Sequence, residues 1–86
     1  MKDRIIEVAG KIWRVLGARG EINITDLAKL LREKDEVVFQ ALGWLAREDK
    51  INYRADSRKT LISLVESELS LFNSQIKSFN QQLIRR

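Results

Sequence analysis

The chain has 86 residues, 16 Lys and Arg against 12 Asp and Glu for a net charge of +4, and 44% hydrophobic with 33% charged residues. That balance describes one small soluble globular domain and argues against a disordered chain. The absence of Cys and His removes disulfides, thiolate zinc sites and thiol nucleophiles, together with the commonest general base and metal ligand.

No apolar run reaches the roughly 18 residues of a membrane span. Met1-Lys2-Asp3-Arg4 leads directly into an amphipathic segment, without the apolar core of a signal peptide. A cytoplasmic protein is expected, with no membrane partner, no metal and no cofactor. Nor is an enzyme expected, because Gly-rich nucleotide loops are absent and Asp, Glu, Lys and Tyr would have to act alone.

Apolar residues at Ile5, Val8, Ala9, Ile12, Trp13 and Leu16 predict a first helix over 3–17. Asp3 is placed to cap its start, and Gly17 and Gly20 bracket its end. Arg4, Glu7, Lys11 and Arg14 fall on the opposite face. Glu21-Ile22-Asn23-Ile24 alternates as a short strand does, and Thr25 then stands where an N-cap belongs. Leu27, Ala28, Leu30 and Leu31 form the inner face of a short second helix. The charged run 32–36 reads as a solvated turn, with Asp35 capping the next helix.

A third helix is predicted over 36–48, with Val38, Ala41, Leu42 and Leu45 on one face. Lys50–Ala55 and Arg58–Val65 then pair as a hairpin around an Asp56-Ser57 turn. From Glu66 the composition shifts to Ser, Asn and Gln. Leu69, Phe72, Ile76, Phe79 and Leu83 recur there at heptad spacing and predict an appended amphipathic helix. The fold class is α+β and mostly helical, divided into a main domain over 1–66 and a C-terminal helix over 67–86.

This order of elements resembles the winged helix-turn-helix fold: three helices, a short strand and a two-strand wing. The wording resembles a family of small bacterial winged-helix proteins of uncharacterised function. Ala9-Gly10-Lys11-Ile12-Trp13 and Ile24-Thr25-Asp26-Leu27 carry part of the likeness, and Ala41-Leu42-Gly43-Trp44-Leu45-Ala46-Arg47-Glu48-Asp49-Lys50-Ile51 carries most of it. The resemblance spans residues 5–66. It implies a DNA-binding ancestry and supplies no ligand.

In a winged helix the third helix is the one that enters the major groove. Opposite its core set stand Glu36, Gln40, Gly43 and Arg47. Gln and Arg can read adenine and guanine by paired hydrogen bonds, and Gly43 would let a surface approach closely. Across residues 34–49, however, Lys34 and Arg47 face four acids, which a phosphate-lined groove disfavours. Val37, Phe39, Trp44 and Ala46 widen the apolar surface and suggest burial on more than one side. The hairpin carries Lys50, Arg54, Arg58 and Lys59 against Asp56, a basic tip suited to phosphate. Exposed edge strands also carry such charges against aggregation. Two functional readings therefore stand: a transcription-regulator-like DNA binder using mainly the basic wing, or a protein-interaction module.

The C-terminal stripe needs a partner, since an isolated helix of this length is marginal in water. Ile6, Gly10, Trp13 and Gly17 form a second face on the first helix, about 90° from its core face. Its two glycines flanking Trp13 make a shallow groove that an aromatic side chain can fill. Docking of the stripe there, within one chain or across a homodimer, is the expected interface.

Overall fold

The computed structural model describes the backbone of residues 2–84 and the side chains of residues 2–77. Its elements are α1 (Lys2–Arg19), β1 (Ile22–Asn23), α2 (Ile24–Leu31), α3 (Asp35–Arg47), β2 (Ile51–Asp56), β3 (Lys59–Leu64) and α4 (Glu66–Ile84). The antiparallel sheet runs β1-β3-β2, with Ile22 opposite Ile62 and Ile51 opposite Leu64.

The core is entirely apolar. Val8, Ile12 and Leu16 of α1 meet Val38, Ala41, Leu42 and Leu45 of α3, and Leu27 and Ile62 close the cluster. Among the described residues no polar or charged residue joins the core cluster. Both helices follow the predicted periodicity, because each must turn one stripe inward.

Several boundaries differ from the sequence reading for local reasons. Asn23, not Thr25, caps α2: its side chain accepts from the Thr25 backbone N–H at 3.1 Å. Thr25 instead donates its hydroxyl to Asn23 at 3.0 Å. Lys34, not Asp35, holds the N-cap position of α3, and Asp35 sits in the first turn beside the positive end of the helix dipole. Leu30 faces solvent, because it falls at the edge of the α2 face that turns Leu27, Ala28 and Leu31 toward the core. The hairpin turn is Ser57–Arg58, one residue later than expected, because Asp56 finds a cross-strand partner in Lys59. Only Ile51 of β2 is buried, so the outer part of the wing projects from the body. Gly20 ends α1 at φ +80, with its N–H bonded to the Leu16 carbonyl.

Gly17 lies inside α1, not at its end. A single residue, Val65, separates β3 from α4, so α4 leaves the sheet with little slack. Phe72 then lies across Gly17, where an added Cβ would meet its ring at 2.5 Å. Trp13 meets the same ring edge-to-face, centroids 5.5 Å apart, and donates its indole N–H to Glu68 at 2.9 Å. The side chains of Phe79 and Leu83, on the expected stripe, lie outside the described residues.

The glycines yield opposite expectations for one substitution. Gly43→Ala meets nothing within 4 Å and should stabilise by about 1 kcal/mol through helix propensity. Gly17→Ala makes the same propensity gain but overpacks Phe72, which typically costs about 1–3 kcal/mol. Thermal melts should show Gly43→Ala above the parent and Gly17→Ala below it.

Candidate nucleic-acid interface

Packing fixes which face of α3 is available. With Val38, Ala41, Leu42 and Leu45 turned inward, Glu36, Gln40, Gly43 and Arg47 are left on the exposed face. The apolar flanks do not enclose the helix on further sides. Phe39 is 53% exposed and Trp44 37%, while Val37 and Ala46 are half-buried against the core. Asp35 and Glu36 in the first turn and Arg47 in the last each match the local sign of the helix dipole. Part of the acidity of this segment thus has a structural cause.

The four wing cations do not act as one patch. Arg54 forms a forked pair with Glu21, its Nε at 2.9 Å and Nη2 at 2.6 Å from the two carboxylate oxygens. Because β3 lies between β1 and β2, this pair straps the sheet across its central strand. Lys50 lies at the root of the wing, 3.9 Å from Glu68 of α4. Arg58 and Lys59 stay exposed at the tip and form no ion pair among the described residues. The expected basic surface of the wing therefore contracts to its tip, while Arg47 and Gln40 stand exposed on α3.

The turn between α2 and α3 is likewise not simply solvated. Arg32 adopts the left-handed conformation at φ 56, and the next residue turns its carboxylate toward α1. There the Glu33 side chain, 6% exposed, accepts from Lys11 at 2.8 Å and from Arg4 at 2.6 Å. Arg4 also pairs with Glu7. Arg4 and Lys11 thus hold the helix-turn-helix against α1 and do not merely face water.

Of the residues expected at the docking interface, Trp13 and Phe72 meet within one chain, joined by Gly17. Ile6 and Gly10 do not receive the stripe. Together with Leu71 they border an open groove beside it. Leu69 and Ile76 remain 38% and 45% exposed. The sequence reading missed Glu68, whose signal was a half-buried indole requiring an acceptor. It also missed the groove-lining role of Trp44 and Leu71, which are neighbours of Trp13 only in space. Among the described residues no group of His, Cys, Asp or Glu gathers to hold a metal, and no helix is long and apolar enough to cross a membrane.

A helical core, a three-strand sheet ending in a wing, and a third helix with one uncovered face define a winged helix-turn-helix domain. The chain belongs to the winged helix-turn-helix domain family DUF2582, whose model matches residues 1–64. It is 42% identical over 67 residues to the uncharacterized protein MJ1608 of Methanocaldococcus jannaschii, a match that covers 74% of this chain and 94% of that one. Its structure is similar to the transcriptional regulator HlyU of Vibrio vulnificus, with TM-score 0.72 and 19% identity over 85% of this chain and 76% of that one. MepR, a transcription regulator of the Staphylococcus aureus multidrug efflux pump MepA, gives TM-score 0.69 and 26% identity over 90% of this chain and 62% of that one. ZitR of Lactococcus lactis gives 0.73 and 21% over 98% and 65%. At their levels of identity HlyU and ZitR are likenesses of fold.

The ion pairs set an acid dependence. The hydrogen bond from Lys11, aided by Arg4, holds the Glu33 carboxyl below its ordinary range, and the hydrogen bond from Arg54 does the same for Glu21. A lowered folded-state pKa contributes stability that is complete above the unfolded value and is lost as pH falls through the folded one. The urea midpoint should therefore drop as pH falls below the ordinary glutamate pKa. Combining Glu33→Gln with Glu21→Gln should lower the midpoint at neutral pH and flatten that acid slope. An unchanged slope would show that neither pair is maintained in solution.

Proposed function

We propose that this protein binds duplex DNA as a transcription-regulator-like winged helix, with α3 against the major groove and the wing tip on phosphate. The observation that carries this reading is the uncovered strip of α3. Gln40 and Arg47 stand exposed on it, and around Gly43 nothing approaches within 4 Å. Gln40 can pair with an adenine edge and Arg47 with guanine, while Gly43 leaves room for close approach. Arg58 and Lys59 supply the phosphate contacts that set orientation. The role of MepR as a transcription regulator supports the same reading.

Asp35 and Glu36 oppose phosphate, so a single domain should bind weakly, with a salt dependence set by a few phosphate contacts. A homodimer would offset that weakness, and we place its contact on the outer flank of α4. Leu69 is exposed there, and Phe79 and Leu83 continue the stripe in sequence. A twofold pair of winged helices would read two half-sites about one DNA turn apart. The second reading, a protein-interaction module, is favoured by the exposure of Phe39 beside those acids.

Anisotropy of a labelled random duplex at two salt concentrations tests the DNA reading. Binding should weaken as salt is raised, and Arg58→Glu with Lys59→Glu should abolish it. Arg54→Gln should act less, because that guanidinium is engaged by Glu21. Equal losses from all three would show that Arg54 also reaches phosphate, whereas no salt-sensitive binding would favour the protein module. Sedimentation tests the dimer separately. Leu69→Ser with Leu83→Ser should convert a dimer to a helical monomer, whereas a monomeric parent at high micromolar concentration would refute the assignment.

A further inference from the structure

Beside the Phe72 contact lies a groove of about 500 Å³ between α1, α4 and the end of α3. Its apolar walls are Ile6, Trp13, Trp44, Leu71 and Ile76, with Gly10 opening the side formed by α1. The volume falls within the range of small-molecule sites, which pair apolar walls with a few placed polar groups. Here those groups are unevenly charged. The Arg14 guanidinium lies over Gly10, 3.7 Å from where a Cβ would stand, and forms no ion pair among the described residues. Lys50 lies across the groove at the looser distance of 3.9 Å from Glu68. The Glu68 carboxylate is itself engaged by the Trp13 indole N–H. The one acid is therefore occupied, and one cation is unengaged.

We propose that this groove binds a small planar aromatic anion, its ring between Trp13 and Trp44 and its carboxylate or sulfonate on Arg14. Two aromatic walls favour a flat π-system over an aliphatic chain. A guanidinium is suited to a planar oxyanion, with which it forms paired hydrogen bonds. The site is independent of the DNA reading, since Arg58, Lys59 and Gln40 are not part of it.

Both tryptophans of the chain line the groove, so intrinsic emission reports on it directly. The intact protein is titrated with anilinonaphthalene sulfonate and, separately, with phenylnaphthylamine, the same ring system without the anion. The sulfonate should quench tryptophan emission saturably, one molecule per chain. The neutral compound should bind about tenfold more weakly, the difference expected for one charge-assisted hydrogen bond. Arg14→Gln should bring the two probes to similar affinity. Gly10→Leu, with an unchanged circular dichroism spectrum, should exclude both. Equal affinity of the two probes for the parent would overturn the proposal. So would binding unaffected by Gly10→Leu. Tryptophan emission that changes with protein concentration alone, and is insensitive to both probes, would assign the groove to a second copy and also overturn it.

Discussion

The packing of α1 against α3 is the constraint on which the remaining geometry depends. Val8, Ile12 and Leu16 are fully buried against Val38, Ala41 and Leu42, and Ile62 closes the cluster from the sheet. A core this small tolerates little loss. Truncating one such aliphatic side chain to Ala typically costs about 2–5 kcal/mol, against a total stability of about 5–15 kcal/mol for a domain. Once one stripe of α3 is committed to α1, the strip from Glu36 to Arg47 must face away. The exposed face of α3 is thus a consequence of core packing, and function can use it without altering the fold.

A small set of charged side chains holds elements in place. Glu33 gathers Arg4 and Lys11, which fixes the helix-turn-helix turn to α1. Arg54 straps the wing to the residue before β1. Exposed pairs of this kind contribute modestly to stability, but they fix orientation. Their consequence for binding is subtractive. Each pair removes one cation and one anion, so the net charge of +4 is unchanged, but on the wing the cations left unpaired among the described residues are Arg58 and Lys59. A protein arranged this way would depend on shape and on paired half-sites more than on bulk electrostatics.

Helix periodicity made the order of elements, the α3 core face and its outward strip legible in the sequence, because each is a local pattern with a single inward stripe. The hairpin was legible apart from one residue, which was decided by whether Asp56 joined the ladder. The long-range pairs were not legible. Nothing near Arg54 in sequence points to Glu21, and the charged run around Glu33 resembles any solvated turn until α1 is laid beside it. Gly17 illustrates the limit most clearly. Its place beside Trp13 suggested a groove for an aromatic ring, yet only the short connection through Val65 determines that Phe72 of the same chain fills it. Gly10, on the same face, is left open.

The central claim is that the uncovered strip of α3 and the wing tip meet DNA while α1 and α4 do not. Nuclear magnetic resonance of the isotope-labelled protein, titrated with a short unlabelled duplex at low salt, tests it residue by residue. The account predicts amide shifts concentrated at Gln40, Gly43, Arg47, Arg58 and Lys59, with Gly10, Trp13 and Leu71 unmoved. Shifts confined to the groove and α4, or none at all at concentrations where the protein stays folded, would contradict it.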